Sequence, residues 1–240
     1  MSLFSSAGER AIPSSLTYAE IRPLLRWVYA WMFVGLLTTA AVAFLTTTNS
    51  ALIELRSNSG IVIGAIIAEL VLVIAISWGI RRVSPPVAAI MFMIYAALNG
   101  FTLSIVLLYF EVGSIVAAFV TTSALFAAMS VIGYTTNVDL TRFGGILLTA
   151  LIGLFIAMIV NVFLRSTAVD FVISIVGVLI FTALTAYDTQ KLKQMAADPV
   201  LQADGTMVAR MSIYGALTLY LDFINLFLFL LRLFGGGSRD

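Results

Sequence analysis

Seven long apolar stretches alternate with short polar segments along the chain. They cover roughly 27–48, 60–80, 86–109, 112–134, 143–164, 171–190 and 211–233. Each stretch has about the 20 mostly apolar residues that a helix needs to cross a bilayer. The pattern therefore predicts an all-α polytopic membrane protein with seven transmembrane helices. Only the segment 191–210 is long enough to hold more than a turn, and Asp198-Pro199 is expected to end a helical extension of the sixth span.

A single membrane domain accounts for most of the chain. We predict a polar cytoplasmic N-terminal segment at 1–26, a seven-helix membrane domain at 27–234 and a short polar tail at 235–240. The first apolar stretch is longer than a signal-peptide core, which usually has about 7–15 residues. It is therefore interpreted as an uncleaved span.

The distribution of Lys and Arg predicts the orientation in the membrane. Nine of these residues lie on the side of the N-terminus and four, including Arg232 and Arg239, lie on the opposite side. This bias predicts a cytoplasmic N-terminus and, with seven spans, an external C-terminus. Six spans followed by a re-entrant tail would instead return the C-terminus to the cytoplasm, and the charge count leaves that alternative open.

The composition agrees with a membrane protein and excludes several classes of function. Apolar residues make up 61% of the 240 residues and charged residues 10%, against roughly 25% charged residues in soluble domains. The net charge of +1 argues against binding to nucleic acid, which requires a basic face. Because the chain has no Cys and no His, disulfides, thiolate or imidazole catalysis and His/Cys metal sites are excluded.

Three acidic residues are predicted to lie inside the membrane without a basic partner at comparable depth. Glu69 lies in the second span, Asp188 near the cytoplasmic end of the sixth and Asp222 near the middle of the seventh. Such carboxyls must hold protons, share them or bind a cation. The alternative is a protonated carboxyl that only ties two helices together.

The seventh span is expected to occupy the centre of the bundle. Within 213–231 the only strongly polar residues are Asp222 and Asn225, and a helix that is apolar on all sides is usually surrounded on all sides. Asn225 follows Asp222 by three residues on the same helix face, so it could donate to that carboxylate or complete an oxygen site. Counting from Lys191 and Arg210, Asp222 is expected roughly 10 Å deeper than Asp188, unless the sixth helix projects into the cytosol or the seventh helix is tilted.

Two stretches carry a resemblance to a known family. Residues 181–193 read FTALTAYDTQKLK and residues 216–228 read ALTLYLDFINLFL, and GYTT at 133–136 and DL at 139–140 extend the match. Together they resemble the signature of the Bax inhibitor-1 (TMBIM) family, in its bacterial YccA/YbhL-like branch. The resemblance implies six helices around a central seventh, a location in the bacterial inner membrane and a pH-dependent calcium leak.

The resemblance also assigns roles to individual residues. The paired aspartates that are proposed as the pH sensor of the family correspond to Asp188 and Asp222. Some members carry a basic residue in the second span that latches this pair. In this chain the second span has Glu69 and contains no Lys or Arg, and the first basic residue after it is Arg81.

The leading hypothesis is therefore a passive, pH-gated cation (Ca²⁺) leak that requires no cofactor. Glu69, Asp188, Asp222 and Asn225 form its candidate pH sensor and ion pathway, and the two aspartates are candidate calcium ligands. The expected partners are the lipid bilayer, calcium and protons. The alternative is a membrane regulator that binds another membrane protein, such as a membrane protease.

An enzymatic function is not expected. A retinal protein needs a lysine within a span, and Lys191 and Lys193 lie in a loop. A paired-aspartate intramembrane protease is compatible with the composition, but the setting of Asp188 does not resemble the Gly-rich site that we associate with such proteases.

Overall fold

The computed structural model describes residues 18–235, apart from the side chains of 18–23, 200 and 202. Most of the predicted N-terminal segment, with Arg10, and nearly all of the tail, with Arg239, lie outside the described residues. The described chain forms ten α-helices and one 3₁₀ helix, Leu140–Phe143. The α-helices are α1 Tyr18–Thr48, α2 Ser50–Ser57, α3 Ser59–Gly79, α4 Pro85–Leu103, α5 Val106–Tyr109, α6 Val112–Thr135, α7 Gly144–Leu164, α8 Thr167–Ala196, α9 Pro199–Ala203 and α10 Gly205–Gly235.

Polar residues at the span boundaries define where several helices begin. The side chain of Asn58 accepts hydrogen bonds from the Gly60 and Ile61 amides and so caps the start of α3. The proline pair at 85–86 occupies the first turn of α4, where no amide donor is needed. Ser166 caps α8 through the Val169 amide. These local signals divide the apolar chain into separate spans.

Seven segments are long and apolar enough to cross a membrane, as the hydropathy pattern predicts. The third of them combines α4 and α5, and the others are α1, α3, α6, the 3₁₀ helix with α7, α8 and α10. Helix α10 is continuous over 31 residues, which corresponds to about 46 Å against a hydrocarbon core of about 30 Å. This length supports a complete seventh span rather than a re-entrant tail.

The sixth and seventh spans are longer than the apolar pattern indicates. Helix α8 continues to Ala196, beyond the predicted end at 190, and α10 begins at Gly205, ahead of the predicted start at 211. A helix satisfies its backbone hydrogen bonds internally, so it continues past the point where apolar residues end. As expected, the extension of α8 ends just before Asp198-Pro199.

Helix α10 is the central helix of the bundle, and the prediction of a central seventh span is confirmed. No residue from Met211 to Leu233 is exposed. The helix packs mainly against α1, α4, α6 and α8, while α7 packs on α8 and α3 packs on α4. The polar side chains of α10 therefore have protein neighbours on several sides.

Helices α6 and α8 approach closely where Gly133 faces the main chain of Ala186. A side chain at position 133 would overlap the Ala186 carbonyl group. Only glycine permits this separation, which fixes α8 against α6 two residues before Asp188.

Candidate functional site

Asp188 and Asp222 meet between α8 and the central helix. Asp222 is buried at 4% exposure, Asp188 is half-buried, and their carboxyl groups lie within hydrogen-bonding reach of each other. A hydrogen bond between two carboxyls requires at least one proton, because an ionised carboxylate only accepts. The Asp222 Oδ2 atom is buried and receives no bond from an amide or hydroxyl of the described residues. The arrangement is therefore one in which two carboxyls can share a proton.

The predicted difference in depth between the two aspartates is wrong. The estimate of about 10 Å assumed that Lys191 and Arg210 lie at the same membrane surface. Asp188 lies 8 residues before the end of α8, and Asp222 lies 17 residues after the start of α10. Since the two carboxyls are close to each other, the ends of the two helices are offset and do not mark one membrane surface.

No lysine or arginine forms an ion pair with Asp188 or Asp222 among the described residues. The two ion pairs found there, Arg142 with Asp139 and Arg232 with Asp170, lie elsewhere. Lys191, one turn after Asp188, acts on it electrostatically. Among the described residues, the aspartate pair therefore has no ion-pair partner and no basic latch from the second span.

The residues that follow Asp188 fix the adjoining end of α6 and the loop behind it. Gln190 accepts a 2.7 Å hydrogen bond from the Leu140 amide and donates a 2.8 Å bond to the Val138 carbonyl oxygen. Lys193 Nζ donates to the Tyr134 carbonyl oxygen at 2.6 Å and so places a positive charge at the C-terminus of α6. Neither role could be predicted from the sequence, since the spacing of these residues gives no sign of their partners.

The loop that Gln190 holds also carries an ordered acid outside the membrane spans. The hydrogen bonds from the Thr141 side chain and amide hold the pKa of Asp139 below its usual range. Asp139 caps the 3₁₀ helix through the Thr141 amide, so the loop is structured from both of its ends.

Glu69 lies apart from the aspartate pair. Its carboxylate accepts hydrogen bonds from Asn99 Nδ2 at 3.2 Å and from the Thr102 hydroxyl at 2.9 Å, so α3 is tied to α4. The hypothesis that Glu69 belongs to one site with Asp188 and Asp222 is therefore not supported by its position.

The Glu69 cluster continues into the bundle and reaches the central helix. The Tyr220 hydroxyl donates to Asn99 Oδ1 at 2.9 Å and lies 2.6 Å from the Thr39 hydroxyl. Tyr220 is two residues before Asp222, and residues at this spacing point about 200° apart on a helix. Helix α10 thus carries one buried polar contact on each of two nearly opposite faces.

Asn225 does not contact Asp222 through its amide. Its Nδ2 atom donates to the Leu221 carbonyl oxygen at 2.8 Å, one turn back in the same helix. Of the two roles open to Asn225, donation to the Asp222 carboxylate is not seen, because the backbone oxygen is within reach of the amide without any movement of the helix. The other role, completion of an oxygen site, stays a prediction.

The described residues contain no group of three or more His, Cys, Asp or Glu side chains that could hold a metal ion. Two aspartates supply at most four carboxylate oxygens, whereas Ca²⁺ takes 6–8 oxygen ligands. Asp188 and Asp222 therefore fit a transient cation contact completed by water or backbone oxygens better than a resident metal centre.

Comparison with known proteins agrees with this architecture. Residues 21–239 match the model of the family described as inhibitor of apoptosis-promoting Bax1. The chain is 47% identical to the inner membrane protein YbhL of Escherichia coli K12, over 90% of this chain and 93% of YbhL. It is 41% identical to a membrane protein of Streptococcus pyogenes serotype M3, over 85% and 87% of the two chains. A protein of Deinococcus radiodurans is 39% identical over 99% of this chain and 100% of its own.

These matches cover nearly all of the described structure and include both aspartate-bearing helices. The seven apolar helices and the named relative confirm an integral protein of the inner membrane, while the cytoplasmic N-terminus stays a prediction. The chain belongs to the Bax inhibitor-1 family.

Proposed function

We propose that this protein is a passive cation leak, with Ca²⁺ as its ion, that is gated by protonation of the Asp188–Asp222 pair. The observation that carries the proposal is the close approach of these two carboxyls between α8 and the central helix, with no lysine or arginine paired to either of them among the described residues. The proposal assigns no catalytic step to the pair and requires no cofactor.

The proton of the pair decides whether α8 and α10 attract or repel each other. With one proton shared, the two carboxyls hold the helices together and the pathway is closed. When that proton is lost, two negative charges remain a hydrogen-bond length apart in a medium that screens them poorly. The repulsion is relieved if the helices separate or if a cation enters, so deprotonation favours conduction.

Calcium suits this site because its ligands are hard oxygens and its coordination is flexible. The aspartates supply part of the coordination shell, and water or backbone oxygens supply the rest. An ion bound in this incomplete way is released readily, as conduction requires.

The proposal is tested by Ca²⁺ flux into liposomes that contain only this protein, measured over a series of pH values. Flux should rise with pH in the wild type, because deprotonation opens the pathway. Asp188→Asn and Asp222→Asn keep the shape of the side chain but cannot titrate, so each should lose most of the pH dependence.

Asp204→Asn is the matched control, since Asp204 is an exposed acid whose side chain caps α10 and asparagine caps equally well. Its flux–pH curve should equal that of the wild type. Unchanged curves in both pair variants would contradict the gating model. Absence of flux at every pH would favour the alternative, a membrane regulator that acts by binding another membrane protein.

A further inference from the structure

Helices α1 and α6 both pack on the central helix, but they pack only sparsely on each other. Two hollows lie along the seam between them, one near the end where α1 begins and α6 ends, the other farther along α1. We call this gap, with both hollows, the α1–α6 seam.

The hollow farther along α1 is apolar and has a volume of about 270 Å³. Phe223 of α10 forms part of its floor and packs edge-on against Phe119 of α6, with ring centres 5.8 Å apart. Thr39 is the one polar side chain in the lining, and its hydroxyl is already hydrogen-bonded to the Tyr220 hydroxyl. This hollow offers no free polar group and therefore suits a hydrocarbon chain.

The seam opens sideways rather than into the bundle. Phe44 is 63% exposed and Phe119 is 51% exposed at the edges of the apolar hollow. In a transmembrane bundle such surfaces face lipid. An acyl chain can therefore enter this hollow directly from the bilayer.

The other hollow is a wider groove of about 690 Å³ that contains a basic residue and aromatic residues. Arg26, Tyr29, Ser130 and Tyr134 contribute to its lining, which includes no acidic residue. The Lys193 Nζ atom adds a second positive charge 5.1 Å from the centre of the Tyr134 ring. Arginine, lysine and tyrosine at a membrane surface are the residue types that meet anionic headgroups.

The spacing of the two hollows matches the length of one lipid. Arg26 and Leu36, the first α1 residue of the apolar hollow, are separated by ten residues, or about 15 Å along the helix. A single leaflet measures about 20 Å from headgroup to midplane. A phosphate at Arg26 would therefore place the acyl chain in the apolar hollow.

We propose that the α1–α6 seam is a binding site for one phospholipid, with the phosphate beside Arg26 and an acyl chain against Phe223 of the central helix. In this position the lipid covers the surface of α10 that α1 and α6 leave exposed between them. This proposal does not rest on the cation-leak function, because it concerns a different face of α10 from the one that carries Asp222.

Native mass spectrometry of the full chain in detergent, titrated with phosphatidylglycerol, measures this binding. Arg26→Gln should lower the affinity about fivefold, the factor that corresponds to about 1 kcal/mol for one basic residue near anionic headgroups. Arg82→Gln is the control, since Arg82 is exposed near the start of α4 and outside the seam.

Ala40→Phe should fill the apolar hollow and abolish the bound lipid. Ala41→Phe, at an exposed neighbouring position outside the lining, should retain the lipid.

Photochemical labelling tests the same site without any substitution. A phosphatidylglycerol with a photoreactive group at the end of its acyl chain should label residues 36–44 and 103–119 in preference to α7, although the surface of α7 is more apolar and more exposed. The proposal would be overturned if the wild type, Arg26→Gln and Ala40→Phe bound the lipid with equal affinity. It would also be overturned if α7 were labelled as strongly as the seam, because both results would show ordinary bilayer contact only.

Discussion

The hydroxyl of Tyr220 donates a 2.9 Å hydrogen bond to the side-chain oxygen of Asn99. Tyr220 is completely buried in the central helix, and Asn99 in turn donates to Glu69 of the second span. This chain of contacts connects α10 to α4 and α3 at the depth of the aspartate pair, on the other side of the helix.

Tyr220→Phe should destabilise the protein. The substitution preserves the ring contacts but leaves Asn99 Oδ1 without its buried donor, which costs about 1–3 kcal/mol. Denaturant or thermal unfolding in detergent measures the loss. Tyr109→Phe, at a side chain that is 69% exposed, is the control and should unfold like the wild type. Equal midpoints for all three proteins would contradict a structural role for the Tyr220 hydroxyl.

Gly133→Ala should force α6 and α8 apart. The added methyl group would overlap the Ala186 carbonyl, and overpacking of this kind costs about 1–3 kcal/mol. Gly113→Ala lies in the same helix with open space around it, so the better helix propensity of alanine should leave stability unchanged or raised by up to about 1 kcal/mol. Unfolding midpoints compare the two variants, and a stable Gly133→Ala protein would argue against the close approach.

Gln190→Ala should release the loop that follows α6. The variant loses both hydrogen bonds, to Val138 and from Leu140, and one such bond contributes about 1 kcal/mol. Hydrogen–deuterium exchange at the Leu140 amide should therefore accelerate about fivefold or more. Gln194→Ala, at an exposed position one turn later, should exchange like the wild type, and identical exchange in both variants would refute the clamp.

A reporter fused after the last residue should read the side of the membrane opposite to the N-terminus. The expectation follows from the seven spans and from the unbroken course of α10. Alkaline phosphatase, which is active only outside the cytoplasm, should be active in that fusion and inactive when fused after residue 84, in the predicted cytoplasmic loop. The reverse pattern would overturn the predicted orientation.

The spans could be predicted from the sequence because length and apolarity are nearly sufficient to define them. The central position of α10 could also be predicted, because its surface is apolar on all sides except for Asp222 and Asn225, which require protein neighbours. The pairing of Asp188 with Asp222 was implied by the family resemblance. The relative depth of the two aspartates could not be obtained by counting residues, because hydropathy does not report how the ends of α8 and α10 are offset.

The partners of the other polar residues depend on how each helix is rotated about its axis. Sequence spacing gives the relative directions of side chains within one helix and says nothing about the neighbouring helix. Glu69 was therefore grouped with the aspartates, although it faces Asn99. Thr39 and Tyr220 were overlooked, although a tyrosine two residues from Asp222 in an apolar helix was a signal that could have been used.

The two opposed polar contacts of α10 also restrict how the protein can move. Helix α10 is hydrogen-bonded through Tyr220 on one face and contacts Asp188 through Asp222 on the other. It therefore cannot rotate about its own axis without breaking both contacts. If only the aspartate contact is lost, α10 keeps its hydrogen bonds through Tyr220 to Thr39 of α1 and Asn99 of α4. Under the proposed gating, we therefore expect α8 to move while α10 stays in place, so that the pathway opens on the side of α10 that faces α8.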